Sequence, residues 1–120
     1  MGNEKVYPNI LCKNKIIFNG CLYMNEKQTA ILKEKVLEQK HGIVLIFSAY
    51  RDGEAKDWDY SFTFIPKAYI NLANGSGTFH LMGGANGLNN TKYIYIYDDK
   101  LVGNKVNNND GYVLRWVIGV

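Results

Sequence analysis

The stretch IVLIFSAY, residues Ile43 to Tyr50, decides the fold class of this chain. It is rich in β-branched and aromatic residues and contains no charged residue. Such a composition is typical of a β-strand that protein covers on both faces, since a solvated face would carry polar residues at every second position. We therefore predict that these residues form a central strand of a sheet.

Three further stretches show strand patterns. YSFTFI, residues 60–65, alternates aromatic side chains with Ser61 and Thr63, which predicts one buried face and one solvated face. KYIYIYD, residues 92–98, has tyrosines on one face and isoleucines on the other, so we expect neither face to carry a charge and both to contact protein. YVLRWVI, residues 112–118, has one charge among apolar residues, which indicates a terminal strand paired within a sheet.

Two segments leave alternatives open. Residues 15–24 are mostly apolar but are interrupted by Asn19-Gly20, which fits either a hairpin turn or a bulge within one bent strand. Residues 28–40 are rich in helix formers and indicate a helix when taken alone. The surrounding β pattern favours instead a strand at Thr29–Leu32 and a helical turn within Lys33–Gln39.

The length of 120 residues corresponds to one domain. We predict that residues 15–120 form it and that residues 1–14 are a linker or a cloning remnant. Short strands separated by many Asn-Gly and Asp-Gly turns, without a regular alternation of strands and helices, indicate an all-β fold. We predict an antiparallel β-sandwich, of which the jelly roll is one form, with at most one short helical turn.

Charge and cysteine content bear on partners and cofactors. The formal net charge is +3, and its excess of lysine lies in the amino-terminal third, which is too sparse for a nucleic-acid footprint. The spacing of Cys12 and Cys21 fits no common zinc or redox motif, so we predict no metal and no other cofactor. The two cysteines could form one disulfide, but a fold of this size needs no such link, which favours free thiols in a reducing cytoplasm. We expect no membrane insertion, because no apolar run is long enough to span a bilayer.

Four segments of the chain together resemble a known family. They are FNGCLYMNEKQTAILKEKVLEQKHGIVLIFSAY, RDGEAKDWDYSFTFIPK, KYIYIYDDKLVGN and the closing YVLRWVIGV. Over residues 17–120 and in this order, they are similar to the carboxy-terminal domain of minor structural proteins in the tails of phages and prophages of Gram-positive bacteria. The most specific elements are HGIVLIFSAY, FIPK, YIYIYDDK and YVLRWVIGV, the last of which also closes the chain in that family.

The resemblance implies a place and a role. It implies an all-β distal module of a tail fibre or baseplate, a homotrimer displayed toward the host surface and credited with receptor recognition. It also implies a location in the virion, at the tail tip, after synthesis in the bacterial cytoplasm without a signal peptide. Cys21 and the lysine-rich residues 33–40 depart from the family pattern, and the family carries no catalytic motif from which a residue role could be transferred.

The candidate carbohydrate site consists of five residues: Asp57, Trp58, Asp59, Tyr60 and, from a glycine-rich loop, Asn86. An exposed tryptophan offers a stacking platform to the apolar face of a sugar, and carboxylates accept hydrogen bonds from sugar hydroxyls. The structural alternative is a largely buried Trp58 beside two carboxylates that solvate the loop.

The candidate packing residues are four aromatic side chains: Tyr93, Tyr95, Tyr97 and Trp116. A row of tyrosines on one strand face, with isoleucines behind it, favours packing between sheets or subunits over a glycan groove. Several predicted strands are apolar on both faces, and one small sandwich has only one interior in which to bury them. We therefore predict that other subunits cover the outer faces. The resemblance implies that the assembly is a homotrimer.

These observations predict a receptor-binding module that binds a host cell-wall polysaccharide or another surface glycan without catalysis. The sequence has no nucleophile elbow, phosphate-binding glycine loop or metalloprotease motif, so we do not expect an enzyme. The alternatives are a purely structural trimerisation cap of a tail fibre and, with less support, a glycan depolymerase.

Overall fold

A computed structural model of the chain describes residues 15–82, 90–107 and 111–120, and it contains two antiparallel sheets that pack face to face around one core. The fold is an all-β sandwich, which confirms the predicted class. Residues 1–14, with Cys12 and the predicted linker, lie outside the described residues. Within the described residues, no helix is long and apolar enough to cross a membrane.

The first sheet contains five strands among the described residues. In spatial order they are β1 (Lys15–Leu22), β9 (Tyr112–Gly119) and β3 (Gly42–Arg51), and β3 pairs along its far side with both β4 (Glu54–Ala55) and β5 (Ser61–Pro66). The last strand thus lies between the first and the third.

In the described part of the chain, the second sheet contains four strands. In spatial order they are β2 (Thr29–Ile31), β8 (Lys100–Val102), β7 (Asn90–Ile96) and β6 (Gly77–Met82). The described residues also contain one α-helix, α1 (Ala68–Ala73), which connects the two sheets after β5, and two 3-10 helices at Val36–Glu38 and Lys105–Asn107. The sequence patterns did not predict α1.

The stretch IVLIFSAY lies within β3, and its prediction as a central strand is confirmed. β3 pairs with β9 on one side and with β5 on the other, and Ile43, Leu45, Phe47 and Ala49 are fully buried against the second sheet. Ile46 on its other face is also buried, because the neighbouring strands cover it. The uninterrupted apolar sequence follows from this position.

The two ambiguous segments have definite structures. Asn19-Gly20 forms part of a bulge within the single strand β1, where the register against β9 shifts twice, so the hairpin alternative is wrong. Residues 28–40 contain only β2 and one 3-10 turn. The amide of Lys33 donates to Ile17 and that of Val36 to Asp98, so backbone groups that a helix would use internally bind other segments instead.

β5 alternates as predicted, and its aromatic side faces solvent. Phe62 is 67% exposed and Phe64 is 51% exposed, while Ile65 points into the core and is 7% exposed. The hydroxyl of Ser61 donates to the backbone carbonyl of Leu81 at 3.0 Å, which joins the edges of the two sheets. The covered face of β5 is therefore the one with small polar residues and Ile65.

The prediction that β7 carries no charge on either face is wrong. Lys92 lies on the inward face with Ile94 and is fully buried. Its ammonium group donates to the carbonyls of Tyr23 at 2.9 Å and Asn107 at 3.3 Å, and it lies 5.3 Å from the centre of the Tyr23 ring. A buried lysine is tolerated here because the backbone carbonyls replace water around its charge.

Candidate functional site

The outer face of the first sheet carries three aromatic rings that lie nearly parallel, namely those of Tyr60, Phe62 and Trp116, which we call the aromatic shelf. The ring centre of Tyr60 is 6.1 Å from that of Phe62, with 24° between their planes. It is 6.3 Å from the ring centre of Trp116, with 27° between the planes. The shelf is therefore a row of stacked aromatic side chains on this outer face.

Strand register brings the shelf together from distant parts of the chain. Phe62 on β5 and Trp116 on β9 are each paired with Ile46 of β3, so both rings stand on the same outer face. Tyr60 lies just before β5, and its ring stacks with the rings of both Phe62 and Trp116. Phe62 is the most exposed of the three at 67%, and Tyr60 is 37% exposed.

A carboxylate and a guanidinium group lie at one end of the shelf. The hydroxyl of Tyr60 donates to Asp57 Oδ1 at 3.1 Å, and the guanidinium of Arg115 lies 3.4 Å from the same oxygen. Arg115 is held in place by hydrogen bonds to the Ser48 hydroxyl at 2.9 Å and the Lys56 carbonyl at 3.1 Å. The side chain of Asp57 is 81% exposed, so its carboxylate remains open to a ligand.

The protonated phenol of Tyr60 suits a hydrogen-bonding role. Its desolvation by surrounding protein atoms raises the pKa of the phenol, and the hydrogen bond to Asp57 raises that pKa further. Tyr60 is therefore a neutral hydroxyl at neutral pH. The end of the shelf therefore offers a hydroxyl, a carboxylate and a guanidinium beside aromatic rings, groups that can hydrogen-bond and stack with a ligand.

Trp58 belongs to a different contact group from Tyr60. The guanidinium carbon of Arg51 lies 5.7 Å from the centre of the Trp58 ring and 5.5 Å from that of Tyr112. The carbonyl of Trp58 accepts a hydrogen bond from the amide of Ala49, which fixes the loop to β3. Trp58 is 47% exposed, so the alternative of a largely buried tryptophan does not hold.

Asp59 occupies a strained position in the same loop. Its backbone has φ 57°, in the left-handed region that aspartate and asparagine tolerate better than most residues. Its Oδ2 atom is buried and has no hydrogen-bond partner among the described residues. The structure thus separates the predicted site. Asp57 and Tyr60 lie together at the shelf, whereas Trp58 contacts Arg51 instead. Asn86 lies outside the described residues.

The four predicted packing residues lie on opposite sides of the sandwich. Trp116 is part of the shelf on the first sheet. Tyr93 and Tyr95 point outward from the second sheet, because Ile94 and Ile96 of the same strand point into the core. Tyr97 follows them beyond the end of β7. The tyrosines therefore do not pack between the sheets, and they share no surface with Trp116.

Sequence reasoning missed two members of the site, Phe62 and Arg115. The alternation of residues 60–65 places Phe62 with Tyr60 on one face, but the pattern does not say which face is solvated. The single charge in the terminal strand was a usable signal for Arg115, since a charge in an apolar strand needs a partner. Among the described residues, no group of three or more His, Cys, Asp or Glu side chains is placed to hold a metal ion.

No family model matches this chain, and no match to it was found among curated proteins.

Proposed function

We propose that this domain is a noncatalytic receptor-binding module of a phage tail fibre or baseplate, and that the aromatic shelf binds a glycan of the host surface. The observation that carries the proposal is the shelf itself, in which three nearly parallel, partly exposed rings stand beside the open carboxylate of Asp57. The tail context and the homotrimeric state rest on the sequence resemblance.

The exposed Phe62 ring and the open carboxylate of Asp57 favour a saccharide ligand over an extended peptide. Sugar rings present flat apolar faces edged by hydroxyls, which match a stacking platform with a carboxylate at its border. A peptide strand would instead seek unpaired backbone groups at a sheet edge. The outer face of the first sheet offers side chains there, not backbone groups.

The test is binding of a short host-wall oligosaccharide to the purified domain, compared between two matched variants. We expect Phe62→Ala to weaken affinity by several-fold to about tenfold, because an aromatic contact contributes roughly 0.5–1.5 kcal/mol beyond area burial. Phe79→Ala removes a similarly exposed ring, at 74% against 67%, from the opposite side of the sandwich and is expected to leave affinity for the short ligand unchanged.

Three outcomes would count against the proposal. If the wild-type domain shows no saturable binding to wall polysaccharide at high concentration, the receptor role is excluded and the trimerisation cap is favoured. Equal loss in the two variants would place the site away from the shelf. Shortened polysaccharide after incubation with the domain would indicate a depolymerase.

The trimerisation cap has one observation in its favour. Phe79 and Leu81 on the second sheet are 74% and 75% exposed, and neither belongs to the shelf. A domain that only joined subunits would need such a surface and would not need Asp57 or Arg115. Glycan binding by the wild type that weakens by several-fold to about tenfold in a folded Phe62→Ala variant decides between the two functions.

A further inference from the structure

The outer face of the second sheet is apolar and open, and we call it the tyrosine face. It is formed by the outward-facing side chains of the four strands: Thr29, Ile31, Phe79, Leu81, Thr91, Tyr93, Tyr95, Lys100 and Val102, with Gly77 between them. Ile31, Phe79 and Leu81 are 65%, 74% and 75% exposed. Nothing in the described part of the chain covers these three side chains.

The aromatic residues of this face hold one another in fixed orientations. The ring centre of Tyr93 is 5.0 Å from that of Phe79 and 5.3 Å from that of Tyr95, both edge to face. The ring of Tyr93 lies over Gly77, where any side chain would collide with it. The side-chain amide of Asn104 donates to the Tyr95 hydroxyl at 2.9 Å. A partner would therefore meet a preformed surface, which lowers the entropy lost on binding.

The charge on this face fits a copy of the same chain. Among the outward-facing positions of the described strands, Lys100 is the one charged residue, and its ammonium group lies 5.1 Å from the centre of the Tyr97 ring at the margin. Interface cores between subunits are depleted in charge and enriched in tyrosine and phenylalanine. Copies of this face, two packed together or three around one axis, would meet without repulsion between like charges at its centre.

The size of the face also fits a subunit contact. An aromatic side chain has about 150–250 Å² of surface, so Phe79 at 74% exposed offers about 110–190 Å². With Ile31, Leu81 and the half-buried tyrosines, the open surface amounts to roughly 500 Å². A standard interface buries about 800 Å² on each partner, of which the centre is apolar. The tyrosine face therefore supplies most of one side of a stable interface, and its polar threonines and Lys100 extend that side.

We propose that a second copy of this chain packs on the tyrosine face, with Phe79 and Leu81 at the centre of the contact. This locates the self-association that the proposed function includes, and it does not depend on glycan binding. It leaves the aromatic shelf, on the opposite side of the sandwich, free for a ligand.

The test is the mass of the full chain in solution, measured by light scattering during size exclusion across a range of micromolar concentrations and without any glycan. Wild type is expected at a multiple of 13.6 kDa. Leu81→Arg and Phe79→Arg are each expected to reduce it to 13.6 kDa, because a guanidinium would be buried without a partner. Leu72→Arg is the matched control: Leu72 is 84% exposed on α1, so this variant is expected to keep the wild-type mass.

Circular dichroism and thermal unfolding establish that each variant is folded before its mass is compared. A wild-type monomer at the highest concentration would overturn the proposal. An oligomer that survives both Leu81→Arg and Phe79→Arg would overturn it too, and loss of that oligomer in Phe64→Arg would place the contact on the first sheet. If the chain is a monomer and associates only after residues 1–14 are removed, the chain's own amino-terminal segment covers this face. That result would also contradict the proposal.

Discussion

His80 shows how one buried side chain sets the acid stability of the domain. It is 3% exposed and its ring stacks on Phe47 across the two sheets. Its Nε2 lies 2.7 Å from the Thr78 hydroxyl, whose one hydrogen is donated to the carbonyl of Ile94. Nε2 therefore carries the imidazole proton, and Nδ1 is buried without a partner among the described residues.

Burial lowers the pKa of His80 to about 4 from its ordinary 6.5, because protonation would bury an unpaired charge. The unfolded chain then binds more protons than the folded one between these two values. The stability contributed by neutral His80 is complete above pH 6.5 and is lost as the pH falls toward 4. Between pH 7 and pH 5 we expect the free energy of unfolding to fall by about 2 kcal/mol.

Urea unfolding at a series of pH values checks this loss. His80→Gln keeps a side-chain amide that can donate to Thr78 but removes the titrating group, so its stability is expected to be nearly flat over the same range. The pKa values of Glu34 and Glu54 lie below their usual 4.5, because each accepts a hydrogen bond from a lysine, so they add to the loss only at lower pH. An equally steep loss in His80→Gln would show that another group is responsible.

Asp59 is expected to cost stability. Its buried Oδ2 lacks a partner among the described residues, and an unsatisfied buried polar group costs about 1–3 kcal/mol. Asp59→Asn keeps a residue that tolerates φ 57° and removes the charge, so we expect the free energy of unfolding to rise by about 1 kcal/mol. Chemical unfolding measures the change.

Asp57→Asn is the matched control for Asp59→Asn in the same loop. Its side chain is 81% exposed, and it accepts hydrogen bonds from Tyr60 and Arg115, so the substitution is expected to leave stability unchanged or slightly reduced. A loss of stability in Asp59→Asn would show instead that the carboxylate of Asp59 makes an interaction that the fold requires.

At the scale of elements, the close approach of β8 to the 23–28 loop depends on Gly103. A Cβ atom at this position would overlap the backbone carbonyl oxygens of Met24 and Asn25. The amide of Gly103 donates to the carbonyl of Gln28 at 3.1 Å, so the strand cannot move away without losing that bond. We expect Gly103→Ala to destabilise the domain by about 3 kcal/mol, measured by urea unfolding.

Gly53 provides the comparison for Gly103. It has φ 78° in the turn before β4, but an added Cβ would meet nothing within contact distance. Gly53→Ala is therefore expected to cost about 1 kcal/mol, from backbone strain alone. If the two variants lose the same stability, backbone conformation and not the close approach determines the effect at Gly103.

The sequence predicts an element correctly where the element's own hydrophobic pattern, and not its pairing with distant strands, determines its structure. β3 is nearly all apolar, β9 has one charge among apolar residues, and each is paired on both sides in the first sheet. The solvated face of β5 was not predictable, because alternation is the same whichever side is covered and the choice depends on pairing with β3. The sequence could identify Tyr60 and Trp116 as candidate residues but not that they meet in one shelf. Their contact depends on the register of β5 and β9 against β3.

At the scale of the whole molecule, the two aromatic surfaces lie on opposite sides of one sandwich. The aromatic shelf stands on the outer face of the first sheet, and the tyrosine face is the outer face of the second. Sheets packed in this way are about 10 Å apart, so a ligand on one face does not contact a subunit on the other. Self-association would therefore present several shelves at once to a polymer.

This separation predicts that short and long glycans respond differently to loss of the subunit contact. Leu81→Arg is expected to bind a short oligosaccharide with wild-type affinity, because the shelf is intact. It is expected to bind the polysaccharide at least about 100-fold more weakly than wild type, because linked binding events gain 10²–10⁴ in avidity. Titration of both ligands with Leu81→Arg and with Leu72→Arg, whose exposed leucine lies on α1, measures the difference.

Two other results would each contradict a different part of this prediction. Equal weakening for both ligands would mean that Leu81 lies at the glycan site, because avidity does not affect a ligand that spans one shelf. Unchanged polysaccharide binding by a folded, monomeric Leu81→Arg would mean that wild type engages the polymer through one shelf at a time, because geometry can prevent simultaneous binding even when several sites are present.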